Sequence, residues 1–171
     1  MLRTAISRTV ESPWKDMEPV RLGSVPTGLG TPDRFVAVEG DERPLLRIDL
    51  YGSSDEAFAF EEVRVWSQFV AIGWGEQLYL VDPLTRRVLA IRLGSYFGHM
   101  YPAEKNLLVA SAERLFLVAP NGAVLWQSGH LGVDGVVVNQ VDGEIIKGEG
   151  EWDPPGGWLP FSVSLRNGQS V

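Results

Sequence analysis

The stretch from Glu149 to Trp158 holds the densest set of chemically capable side chains in this sequence. Glu149, Glu151 and Asp153 are spaced two apart, so on a strand their carboxylates face one way and can collect a hard cation or supply an acid and a base. A solvated strand face makes the same pattern, and charged side chains stay exposed unless paired, which favours that plainer reading. Trp152 and Trp158 flank Pro154-Pro155-Gly156-Gly157, where two prolines stiffen the chain and two glycines let it turn. Aromatic side chains held rigidly lose little entropy on contact, so this loop suits a binding site. The same tryptophans can instead cap the core beneath a tight turn.

Other candidates lie in short connections. Trp74 stands between Gly73 and Gly75, His99 follows Gly98, and His130 follows Gly129, with Tyr96, Tyr101 and Asp134 nearby. Two histidines can ligate a metal or shuttle protons, but no third ligand is evident, so no metal and no cofactor is assigned. Nucleophilic hydrolysis lacks its elbow motif, since Gly94-Ser95-Tyr96-Phe97-Gly98 displaces the serine by one position. Phosphate-binding loops are missing too, and Gly28-Leu29-Gly30 falls in a proline-rich connection. No catalytic residue is assigned. The expected binding set is Trp74, His99, His130, Trp152, Asp153 and Trp158.

These residues must be positioned by strands. A short alternating run, a turn and a second run recur at 78–89, 115–126 and 161–171, with Pro83, Asn121-Gly122 and Asn167-Gly168 in the turns. The strands preceding these hairpins begin at Phe35, Phe69, Leu107 and Ile145, which lie 34, 38 and 38 residues apart. That period, filled with short strands and Gly/Pro turns, belongs to β-propeller blades and not to leucine-rich or helical repeats. Alternation predicts strands at 61–66, 68–73, 77–82 and 87–93, then 96–102, 107–112, 114–119 and 123–127, then 135–141, 144–151 and 159–165. A weaker first unit covers about 34–58. The last unit lacks its outer strand, and residues 2–10 are the expected source of it. Residues 11–33, with four prolines and three glycines, read as an extended connection without a strand. On this reading the loops between second and third strands and the connections between units emerge at one end, which carries all the candidate residues.

The segment from Leu115 to Trp126 resembles the repeat of quinoprotein-like propellers, in which a strand ends near an Asp, turns through Thr-Gly or Asn-Gly, and re-enters with a Trp. Asp82, Thr85 and Val88-Leu89 match part of that pattern, and Asn121-Gly122 with Val124-Leu125-Trp126 match another part. The resemblance covers about 60–171 and implies the blade fold, not quinone chemistry. The expected architecture is thus all-β: one domain over 1–171, with 1–33 as N-terminal strand and connection and 34–171 as about four antiparallel sheet units. It forms a small or incomplete propeller-like assembly, with a twisted β-sandwich as the alternative.

Composition narrows the function. At 171 residues, 44% apolar and with six Trp, the chain can bury a core of about 68–70% of its unfolded surface. A net charge of −7 argues against nucleic acid, which demands clustered Lys and Arg. Without cysteine, no disulfide, thiolate site or cysteine nucleophile is possible. The first ten residues contain two arginines and no unbroken apolar core, and no run approaches the roughly 20 residues of a membrane span, so the expected location is cytoplasmic. The expected function is non-catalytic capture or inhibition of a protein partner through the loop end, specifically an immunity protein neutralising a basic toxin or enzyme. The alternative is a small-ligand or carbohydrate-binding protein or hydrolase using the same end. A module completed only by self-association through the edge near Val171 is a third possibility, and the oligomeric state is left open.

Overall fold

A computed structural model describes residues 1–52 and 60–171. It is all-β, with a short 3-10 turn at Trp14–Asp16 and fifteen strands arranged in four separate sheets. The first sheet contains β1 (Leu2–Ser7), β2 (Val20–Gly23), β3 (Arg34–Gly40) and β4 (Arg43–Tyr51), in the order β1-β3-β4-β2. The second runs β5 (Glu62–Trp66), β6 (Phe69–Trp74), β7 (Gln77–Val81) and β8 (Val88–Arg92) as a simple meander. The third repeats this with β9 (Phe97–Ala103), β10 (Asn106–Ser111), β11 (Leu115–Val118) and β12 (Val124–Gln127). The fourth has three strands, β13 (Val136–Asp142), β14 (Ile145–Glu151) and β15 (Trp158–Ser164).

Alternation divides each central strand between two cores. In β6, Val70, Ile72 and Trp74 pack toward the first sheet, whereas Phe69 and Ala71 pack toward the third. In β10, Leu107 and Val109 face the second sheet while Leu108 and Ala110 face the fourth. Buried on both faces, these strands read as nearly continuous apolar runs. The end sheets differ. Leu46, Ile48 and Leu50 of β4 are buried, but Arg47 and Asp49 lie between them and pair with each other at 2.7 Å. Ile146 of β14 is buried, and its neighbour Lys147 is exposed. The sheets therefore stack in chain order with three shared cores, and among the described residues no core cluster joins the fourth sheet to the first.

The turns explain the repeat. Asp82 Oδ1 accepts the Leu84 and Thr85 amides at 2.9 and 3.1 Å, which holds its carboxyl below the usual range. In the next two copies Asn121 and Asn167 accept from Ala123 and Gln169. Gly122 and Gly168, at φ +87° and +69°, occupy the left-handed position that closes each turn.

Two N-terminal expectations are corrected. Residues 2–7 do not complete the fourth sheet; they pair antiparallel with β3, from Leu2 opposite Gly40 to Ser7 opposite Phe35. Leu2 and Ile6 pack on the first core, which has only β3 and β4 from its own repeat unit and takes β1 to cover it. Residues 11–33 do contain a strand, because Leu22 of β2 is buried in that core and β2 runs parallel to β4. The Trp14 indole then donates to the Val38 carbonyl at 3.1 Å, beside the bulge after Val38, and Arg47 donates to the Lys15 carbonyl at 2.9 Å.

In the fourth sheet an outer strand only begins: Ser170 bridges Val163, and the Val171 amide donates to Ser162 at 3.1 Å. Counting by two from Ser162, Pro160 presents its backbone to the same open edge, where it has no N–H to offer. Among the described residues no helix is long and apolar enough to cross a membrane.

Candidate functional site

The candidate residues gather at one end of the stack, tied together by hydrogen bonds to backbone carbonyls within and between the sheets. The Tyr51 carbonyl accepts from the Trp74 indole at 3.1 Å, and the Gly75 carbonyl from Phe97 at 2.7 Å. Next, the Tyr96 carbonyl accepts from Ala112 at 2.9 Å, the Glu113 carbonyl from Leu131 at 2.8 Å, and the Glu151 carbonyl from Val133 at 2.7 Å. The loops between second and third strands and the connections between units do emerge together, as expected.

Between the third and fourth sheets this end opens into a cleft of about 260 Å³. Phe60, Tyr96, His99 and Trp158 form aromatic walls, Asp134 and Glu151 supply carboxylates, and Gly98, Gly135, Val136 and Val137 contribute to the lining. The Phe60 ring centroid is 4.8 Å from that of His99 and 6.5 Å from that of Tyr96. The Trp158 indole reaches Gly135 with its outer edge, where an added Cβ would come within 2.9 Å of it.

The carboxylates are placed by close backbone approach. Gly150 lets the connection from the third sheet pass over β14, since a Cβ there would stand 1.6 Å from the Leu131 carbonyl oxygen. That seats Asp134 beside Tyr96, whose hydroxyl lies 3.0 Å from Asp134 Oδ1 and also contacts the Asp134 carbonyl. Burial foremost, then the hydrogen bond and charge of Asp134 and the charge of Glu151, push the Tyr96 phenol up to about 12. Glu151 is only 9% exposed, and one of its oxygens accepts the Gly156 amide at 2.7 Å.

The binding residues expected from sequence divide. His99 and Trp158 line the cleft, with Trp158 40% exposed. Trp152, 42% exposed, and Asp153, also exposed, stand in the adjoining turn, where Trp152 donates to Gly157 at 2.9 Å. His130 faces away from the cleft toward Glu113 at 3.5 Å, so the two histidines do not meet. Trp74 is a core residue, 2% exposed, with its indole turned inward to Tyr51. The three carboxylates at two-residue spacing do not share one strand face: β14 ends at Glu151, Glu149 is exposed and Asp153 lies in the turn. Among the described residues no group of three or more metal-ligating side chains forms.

Sequence reasoning left Phe60, Asp134 and Glu151 out of the binding set. Asp134 and Glu151 carried a signal in the glycines around them, at 132, 135 and 150, which mark backbones in close approach. Phe60 carried none, because it precedes its strand and meets His99 only through the fold.

The cleft is equipped to bind. Ser111, in its lining, is the nearest hydroxyl of a nucleophilic type, but it accepts the Glu113 and Arg114 amides at 3.3 and 3.1 Å and the Ser95 hydroxyl at 3.0 Å. It therefore organises a turn. What remains is a set of aromatic side chains with two carboxylates among them. No protein-family model matches this chain, and no curated protein matches it.

Proposed function

We propose that this chain is a non-catalytic protein-binding β-repeat protein that captures or inhibits a protein partner through the loop end of its third and fourth sheets. An immunity protein neutralising a basic toxin is the specific form of the proposal. The observation that carries it is the grouping of exposed apolar side chains, Phe60, Val133, Trp152, Trp158 and Leu159, around an acidic cleft. Aromatic anchors beside a desolvated pocket are what protein interfaces use for most of their affinity. The net charge of −7 favours a basic partner through faster encounter and rejection of acidic competitors.

The aromatic walls beside two carboxylates also suit a sugar ring, which is the second reading. At about 260 Å³ the cleft falls below the roughly 300–1,000 Å³ of pockets that enclose drug-sized ligands, so on this reading it takes a single sugar ring.

Affinity capture of the tagged protein from its own host, repeated with Trp152→Ala/Trp158→Ala, tests the proposal. One stoichiometric partner lost in the double variant is the expected result. Absence of a partner with the unmodified protein sinks it and leaves the small-ligand reading.

A further inference from the structure

We infer that the cleft between the third and fourth sheets is a subsite for one arginine side chain of the partner, an inference that rests on the protein-binding reading above. Three observations converge on a guanidinium.

The first is an uncompensated carboxylate. Glu151 is nine-tenths buried, one oxygen is occupied by the Gly156 amide, and the other has no hydrogen bond among the described residues. Neither Glu151 nor Asp134 has a Lys or Arg within ion-pair distance among the described residues, while eight ion pairs of Lys, Arg or the N-terminus form elsewhere among them. A carboxylate with no cation beside it gains a charge-assisted hydrogen bond from an incoming one.

The second is the shape of the walls. The aromatic side chains of Trp158 and Phe60 line the cleft together with the two carboxylates. A guanidinium is planar, stacks on aromatic faces and presents a fork of donors that fits a carboxylate, whereas an ammonium is a compact and strongly hydrated point charge. The third is volume, since about 260 Å³ accommodates one extended arginine side chain.

The probe is methylguanidinium chloride, titrated into the full chain while the Trp158 indole and His99 ring resonances are followed by NMR. N-methylurea serves as the neutral isostere and methylammonium chloride as the lysine mimic. Saturable shifts with methylguanidinium are expected, with none from N-methylurea. Glu151→Gln, which keeps an acceptor for Gly156, is expected to weaken binding on the order of tenfold. Asp134→Asn, which keeps an acceptor for Tyr96, should weaken it too and stands as the second variant if the first fails to fold. Equal shifts from N-methylurea, tighter binding of methylammonium, or indifference to both substitutions would overturn the assignment. A captured partner with no guanidinium response sinks the arginine subsite alone. Guanidinium binding without any partner sinks the protein-binding reading and leaves the subsite.

Discussion

Gly150→Ala tests whether backbone contact between the third-sheet connection and β14 builds the site. A Cβ at this position would lie 1.6 Å from the Leu131 carbonyl oxygen and 2.6 Å from its carbon, both of them backbone atoms that cannot rotate away. Reaching even a 3.0 Å separation requires the strand or the connection to move by about 1.4 Å, beyond the roughly 0.5 Å that a preorganised site tolerates. Overpacking of this kind costs about 1–3 kcal/mol. The shift also endangers the Leu131–Glu113 and Val133–Glu151 hydrogen bonds, each about 1 kcal/mol. A total of about 3–5 kcal/mol corresponds to a fall in Tm of about 6–20 °C for a chain of this length. Thermal unfolding by circular dichroism measures it, and Gly129→Ala is the control. That glycine lies in the same connection with nothing within 4 Å of an added Cβ, so its substitution should be neutral or stabilising by up to about 1 kcal/mol. A phenolate titration should also show Tyr96 falling below about 12 as Asp134 is carried away from it, with the part of the rise that burial causes remaining. A Gly150→Ala protein melting within about 2 °C of the unmodified one would refute the reasoning.

Tyr96 sets an alkaline limit. Its folded pKa of about 12 lies above the ordinary value of 10.0, so its contribution to stability is full below about pH 10 and is lost as pH rises through 12; Tyr96→Phe should flatten the fall in Tm across that window. Gly122→Ala, at φ +87° with Leu89 Cδ1 only 2.6 Å from the new methyl, should cost about 1–2 kcal/mol, read as a fall in Tm of about 2–8 °C, and an unchanged melt would count against the left-handed turn. Deleting residues 1–10 should remove hydrogen-exchange protection from those β3 amides that face β1, leaving the ones that face β4 and residues 145–164 protected; loss in the fourth sheet instead would restore the terminal-closure topology.

Strands of the second, third and fourth units were legible because their alternation is dense and their turns use Asp, Asn and Gly at matching positions. The first sheet was not, since β1 and β2 lie far before their partners and alternation names a face without naming the strand that pairs with it. Trp74, flanked by glycines, read as a turn residue, but β6 continues through it and its even spacing with Val70 and Ile72 sends it into the first core. Glu149, Glu151 and Asp153 failed as a set for a different reason. The strand ends at Glu151, because the Trp152–Gly157 and Gly157–Asp153 hydrogen bonds fold the chain over immediately afterwards. Trp158 begins β15 and lines the cleft, whereas His99, expected in a connection, is the third residue of β9 and reaches the cleft from within the strand.

The open stack follows from the same alternation that located the strands. A closed ring of four sheets has no end, so every sheet must be apolar on both faces, as β6 and β10 are. Here Arg47 and Asp49 interrupt the apolar run of β4, and Lys147 and Glu149 interrupt that of β14, giving the first and last sheets one polar face each. The Arg47–Asp49 pair is already covered, with Asp49 2% exposed and Arg47 bonded to the Lys15 carbonyl, so the N-terminal segment occupies that face, and bringing the two faces together would also bury the exposed Lys147 and Glu149 at a desolvation cost. Each sheet therefore depends on its chain neighbours alone, in the manner of a one-dimensional array. The fourth sheet, with three strands and a single packed face, is held by one core and by the connection that crosses Gly150. The cleft lies at that junction, so the elements that shape it are the ones with the fewest other commitments.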